Sequence, residues 1–236
     1  LSFSKYPFWE VVAHAFSQDV WKIMWPAVWD SLYMVLLSAV ITFLFGILIG
    51  IVLSVIEKDG IHHIPVLNET VGTLINCLRS LPQMIMIIIT LPLARMILGQ
   101  SYGVNACIIA LAASCIPMYA RLVQGALVEI PKGKIEAAKA MGSSGAEIVF
   151  KVMLPEAVPG IIRGFTVALI GIISMTALAG NFGAGGIGDI AVRYGFNRFQ
   201  HDMLLASVLV LIIMVEIVQI GGDLLSSLIL KKRHLI

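Results

Sequence analysis

Five charged side chains gather in one stretch between two apolar runs, Glu136 to Ile161 (EAAKAMGSSGAEIVFKVMLPEAVPGI): Glu136, Lys139, Glu147, Lys151 and Glu156. Carboxylates and ammonium groups on a short helix suit ion pairing with a partner in the water phase. They do not make a reaction centre, because no nucleophile stands with a base and no paired acids have a credible chemical role. A second candidate is GNFGAGGIGD, Gly180–Asp189, with five glycines in ten residues. Glycine-rich loops can cradle phosphate, but this one lacks the Lys-Ser/Thr ending of a P-loop and the strand that precedes one. Its glycines suit a tight re-entry or close packing at a membrane boundary. His62 and His63 are adjacent, so on a helix they face different ways and make a poor metal pair; a solvated loop is expected there. Cys77, Cys107 and Cys115 lie in apolar surroundings without a CxxC pattern, which suits buried thiols.

The elements that hold these residues are set by composition. Hydrophobic residues make up 59% of 236, charged residues 13%, and the mean hydropathy is +0.97. An ordinary soluble domain carries about 25% charge, so the class is an all-α membrane protein. A net charge of +2 with no basic stripe argues against nucleic acid. The opening apolar run is broken by Glu10, His14, Gln18 and Asp19, so no cleavable signal peptide is expected.

Five spans are expected, at about 29–56, 66–97, 104–128, 161–179 and 203–230. Residues 1–28, with Trp9, Trp21 and Trp25 among Lys5, Glu10, Asp19 and Lys22, read as an interfacial amphipathic segment. In the first span Gly46 and Gly50 form a small-residue ridge for close helix packing. The second carries Asn68, Glu69, Asn76 and Arg79 in its first half and Pro82 and Pro92 in its second. The polar segment 129–160 follows the third span. Its helical part, Glu136 to Phe150, is opened to a bend by Gly142 and Gly145. Pro155 and Pro159 bias their predecessors away from helix before the fourth span. Glu216 and Gln219 lie inside the fifth, facing a subunit interface, a polar pathway or simply another helix.

Lysine and arginine orient the chain. With the N terminus outside, Lys58, Lys132, Lys134, Lys139, Lys151, Arg163, Lys231, Lys232 and Arg233 fall inside, nine against the five of Lys5, Lys22, Arg95, Arg193 and Arg198. The polar segment and the basic tail 231–236 are then cytoplasmic.

The chain resembles the membrane-spanning permease subunits of ATP-binding-cassette importers, nearest their methionine branch. The likeness is carried by Glu136-Ala137-Ala138, Gly142, Val152, Leu154-Pro155, Ala157 and Pro159-Gly160. Arg79-Ser80-Leu81-Pro82, Leu127 to Pro131 and Gly183 to Gly188 add to it, so the resemblance covers about 29–230. It implies a homodimer in the cell membrane, two cytoplasmic ATPase subunits and an external substrate-binding protein. ATP and Mg would be bound in the partner ATPase, with no cofactor on this chain and no enzyme activity of its own. Glu136, Ala137, Ala138, Lys139, Gly142, Leu154 and Pro155 would form the segment that couples to the ATPase. Methionine is the implied cargo, with cystine and histidine as other small amino acids and an ion-driven transporter or channel as the rival class. For the passage, Met84, Met86, Met175 and Leu178 suit a soft apolar gate, and Gly183, Gly185 and Gly186 a loop that changes shape beside it.

Overall fold

The computed structural model describes residues 7–232, and these are helical apart from turns and short connections. Lys5 and Arg233 of the charge count, residues 1–6 of the amphipathic start and 233–236 of the tail lie outside the described residues. Helix α1 is Phe8–Ala15, and α2 runs unbroken over Gln18–Ile56. At roughly 1.5 Å per residue α2 is about 58 Å long, nearly twice a bilayer core. No helix break marks the boundary expected near residue 29. Trp21, Trp25 and Trp29 ride on the same helix as the first span, and Trp25 meets Trp29 edge to face at 6.4 Å.

The second span divides into α3, Pro65–Ser80, and α4, Gln83–Leu98. Leu81 is extended at φ −73° and ψ 140°, as a residue before proline prefers, and Pro82 caps α4. Helix α5 is Val104–Val128, α6 Lys132–Ala140 and α7 Gly145–Glu147; a π-helical stretch, Ile148–Met153, then joins α7 to α8, Leu154–Ala179. Pro155 and Pro159 do not interrupt this run, contrary to the sequence expectation: Gly145–Phe182 is one helical rod. A proline ring collides with the carbonyl four residues back, and the wider π turn immediately before Pro155 relieves that crowding. The chain ends in α9, Gly186–Ile190, a π-helical stretch Ala191–Phe196, and α10, His201–Lys232. Helices α2, α5, the 145–182 rod and α10 are each long and apolar enough to cross a membrane, and the broken pair α3–α4 makes up to five.

Two compact units are present. Among the described residues, the first comprises those up to Val40, Pro82–Ser114 and Leu169–Val218. In it Ser38 donates to the Ile108 carbonyl at 3.1 Å, and Met24, Met34, Ile87, Leu111, Ile172 and Ile187 fill the core. The second comprises Ile41–Leu81, Cys115–Ala168 and the described residues from Gln219 on. It is built on close backbone approach. A Cβ on Gly46 would lie 2.5 Å from Tyr119 Cδ1, on Gly50 2.6 Å from Val123 Cβ, and on Gly160 2.8 Å from Ala126 Cβ. Without a hydrophobic drive between helices in lipid, such small-residue contacts supply the packing, as expected for Gly46 and Gly50. Phe43, Tyr119 and Phe165 close the same layer with ring centroids 5.0–6.2 Å apart. Gly50→Val is therefore expected to lower the apparent melting temperature in detergent, by about 1–3 kcal/mol of overpacking. An unchanged melting curve would show that α2 and α5 can part freely here.

Arg121 adds a polar tie within this unit. It donates to the Gly72 carbonyl and to Gln124 Oε1, each at 2.7 Å, and Gln124 Nε2 donates to Glu57 Oε2 at 3.0 Å. Cys107 and Cys115 are buried as expected, but Cys77 is exposed. It rides on α3 between Asn76 and Arg79, where Gly72 and Ile75 are the buried positions.

Candidate functional site

The polar segment is a helix, a tight turn and a second helix, stopped and started by defined caps. Helix α6 closes in a Schellman motif: Ser143 N donates to the Ala138 carbonyl at 3.1 Å and Gly142 N to the Lys139 carbonyl at 2.9 Å. That geometry needs a left-handed residue, and Gly142 supplies it at φ +82°. Two residues on, Ser144 opens the next helix with a capping box. Its Oγ accepts from Glu147 N at 3.4 Å, while Glu147 Oε2 accepts from Ser144 N at 3.1 Å. The sequence expectation of one helix from Glu136 to Phe150, bent at Gly142, thus becomes two helices with a rigid corner.

The corner is fastened from beneath. Ala138, Ile148, Val149 and Met153 are buried, and Gly145 lies against the 57–64 turn, where a Cβ would come 2.8 Å from His62 Nε2. His62 is thus a packing neighbour of the corner. At the foot of α6, Lys132 donates to Asp59 at 2.8 Å, and Lys134 pairs with Glu156. The Lys132 bond holds the Asp59 carboxyl below its ordinary range and raises Lys132 in turn. Lys151 is engaged by Glu147 at 2.8 Å.

These pairings sort the candidates. Glu136 and Lys139 are exposed and make no ion pair among the described residues, so they remain open to a partner. Ala137 is exposed beside them, whereas Ala138 is buried in its own chain; Leu154 and Pro155 are half-buried at the root of α8. Sequence reasoning missed Met141. It stands 80% exposed at the tip of the corner. Its position next to the helix-stopping Gly142 was the signal, since a residue at the C-cap leaves the buried face.

The glycine-rich loop divides its labour. Gly183, Gly185 and Gly186 take positive φ and make the turn. Gly180 and Gly188 permit contact instead: a Cβ on Gly188 would lie 2.2 Å from Ala177 Cα, and on Gly180 2.6 Å from Asp189 N. Helix α9 therefore folds back on the end of α8. The loop is pinned to α2, where Ser31 Oγ accepts from Ile187 N at 2.9 Å. Of the apolar passage candidates, Met86 and Met175 are buried in the first unit, Leu178 is half-buried and Met84 is exposed. The passage candidates all belong to the first unit and the corner to the second.

Residues 44–233 match the family model described as the binding-protein-dependent transport system inner membrane component. The probable D-methionine transport system permease protein MetI of Vibrio cholerae is 39% identical over 169 residues, 72% of this chain and 75% of that protein. The methionine import system permease protein MetP of Bacillus subtilis is 40% identical over 166 residues, 70% of this chain and 75% of its own length. Among solved structures, an inward-facing MetNI methionine ABC transporter matches with a TM-score of 0.88 and 34% identity, over 91% of this chain and 99% of that one. An amino acid ABC transporter crystallised with histidines shares the fold, with a TM-score of 0.74 at 16% identity over 95% of this chain and 99% of that one. A capped polar corner between apolar helices, together with these matches, places the chain in its family: it belongs to the inner-membrane components of binding-protein-dependent transport systems, the permease subunits of ATP-binding-cassette importers.

Proposed function

We propose that the chain is the permease of a methionine importer, paired with a second copy of itself to form the passage. Two cytoplasmic ATPase subunits dock on the 132–151 corner, and an external binding protein delivers the cargo. The observation that carries the docking is the corner itself: the Schellman close of α6, the capping box of α7 and exposed Glu136, Lys139 and Met141 make a defined knob whose Glu136 and Lys139 form no ion pair among the described residues. A rigid element transmits displacement where a flexible loop would absorb it. Ala137 allows close approach, and Gly142, Leu154 and Pro155 set how the knob joins the rod. The lysine–arginine bias supports an outer N terminus and a cytoplasmic C terminus. Met84 and Leu178, which reach the surface, are the better gate candidates, since Met86 and Met175 are buried. Gly183, Gly185 and Gly186 let the loop beside them change shape.

The decisive experiment is uptake into vesicles holding the purified complex and its binding protein. ATP-dependent accumulation of methionine is expected. Stimulation by cystine or histidine with methionine inert would reassign the cargo, and uptake driven by an ion gradient without ATP would overturn the permease reading. Met141→Asp is expected to weaken co-purification of the ATPase about tenfold or more, as for a buried interface anchor. Undiminished co-purification would place the docking contact elsewhere.

A further inference from the structure

Between α8 and α10, within the first unit, lies a small open groove of about 260 Å³. Ala177, Leu211, Ile212 and Val215 give it an apolar wall, and Ser174 and Glu216 are its two polar side chains among the described residues. Glu216 stands at the midpoint of the membrane-crossing helix α10, exposed, with no hydrogen bond or ion pair among the described residues. A carboxylate at that depth is costly against lipid, and such groups face a polar passage and meet a partner there. Ser174 Oγ donates to the Ile170 carbonyl at 3.0 Å, so what it offers the groove is a lone pair. Both polar groups therefore accept. No cation lines the groove among the described residues, so it suits neither a carboxylate nor a phosphate.

An ammonium group has three donors and no acceptor, which is the complement of this pair. The apolar wall suits an uncharged side chain attached to that ammonium. We infer that this groove is a cargo subsite, in which Glu216 and Ser174 hold the α-ammonium group of an apolar amino acid inside the membrane. The inference rests on the permease reading above and adds to it the residues that recognise one end of the cargo.

The test uses the assembled complex in vesicles and in detergent. Radiolabelled methionine binding to the complex without its binding protein is expected to be displaced by methionine amide, which keeps the ammonium. 4-(Methylthio)butanoate, which lacks it, should not compete. Glu216→Gln is expected to lower methionine binding and uptake by about tenfold to a hundredfold, as for loss of a charge-assisted hydrogen bond. Glu216→Asp, which keeps the charge, should recover most of both. Wild-type uptake with an unaffected Glu216→Gln variant would sink the subsite and leave the permease standing. Equal losses in the Gln and Asp variants would give Glu216 a packing role only and also overturn it. Dissociation of the dimer by Glu216→Gln would make the groove a subunit contact instead. A wild type that moves no amino acid with ATP would take down both readings.

Discussion

Replacing Gly142 with valine is expected to leave the chain in the membrane while cutting ATP-driven uptake about tenfold or more. The reason is conformational, since a Cβ at Gly142 meets nothing within 4 Å. What changes is φ: at +82° a β-branched residue is strained by roughly 1–3 kcal/mol, and the Schellman closure onto Ala138 and Lys139 opens to relieve it. Met141 and the exposed Glu136 and Lys139 then lose their fixed relation to α7 and the rod. Asparagine tolerates the left-handed region, so Gly142→Asn should retain most of the coupling. Co-purification of the ATPase and the ratio of cargo moved to ATP hydrolysed are the measurements. If valine and asparagine behave alike, backbone strain at the corner is not what sets coupling.

The glycine-rich loop yields the second large effect, and the structure ranks its positions. Gly186→Val is expected to abolish uptake, because it combines φ +83° with a Cβ 2.7 Å from Ser31 Oγ and 3.0 Å from Met34 Cε. That contact displaces the hydroxyl that accepts from Ile187 N and so frees the loop from α2. Gly183→Ala meets no atom within 4 Å and carries only the strain of φ +74°, so it should reduce uptake a few-fold at most. Membrane insertion should survive in both, as the spans are untouched. Equal uptake by the two variants would show that the loop is a passive connection. Disappearance of Gly186→Val from the membrane would show instead that the Ser31 contact is needed for folding.

Much of this protein was legible before any coordinates. A run from Ser31 to Ile56 without a charge can only be buried in lipid or protein, and its length states that it spans. Helices α5 and α10 cover the apolar runs expected as the third and fifth spans, and those runs end at charged or turn-forming residues. Gly46 and Gly50 announced helix contact through their spacing alone, and the signature around Glu136-Ala137-Ala138 and Gly142 announced the family.

What the sequence left open depended on which neighbour each residue meets. Proline bias is a local rule, and it failed at Pro155 because a π turn beside it absorbed the crowding. No motif marked Met141, but α6 stops there, and the residue at its C-cap points where the turn sends it. Five glycines in ten residues look equivalent in a string; only packing separates the three that turn the chain from the two that let α9 touch α8. The polar residues of the fifth span carry no sign of what they face. Tertiary structure alone brings Ser174 and Glu216 onto one groove, since they stand on different helices and no local rule couples them.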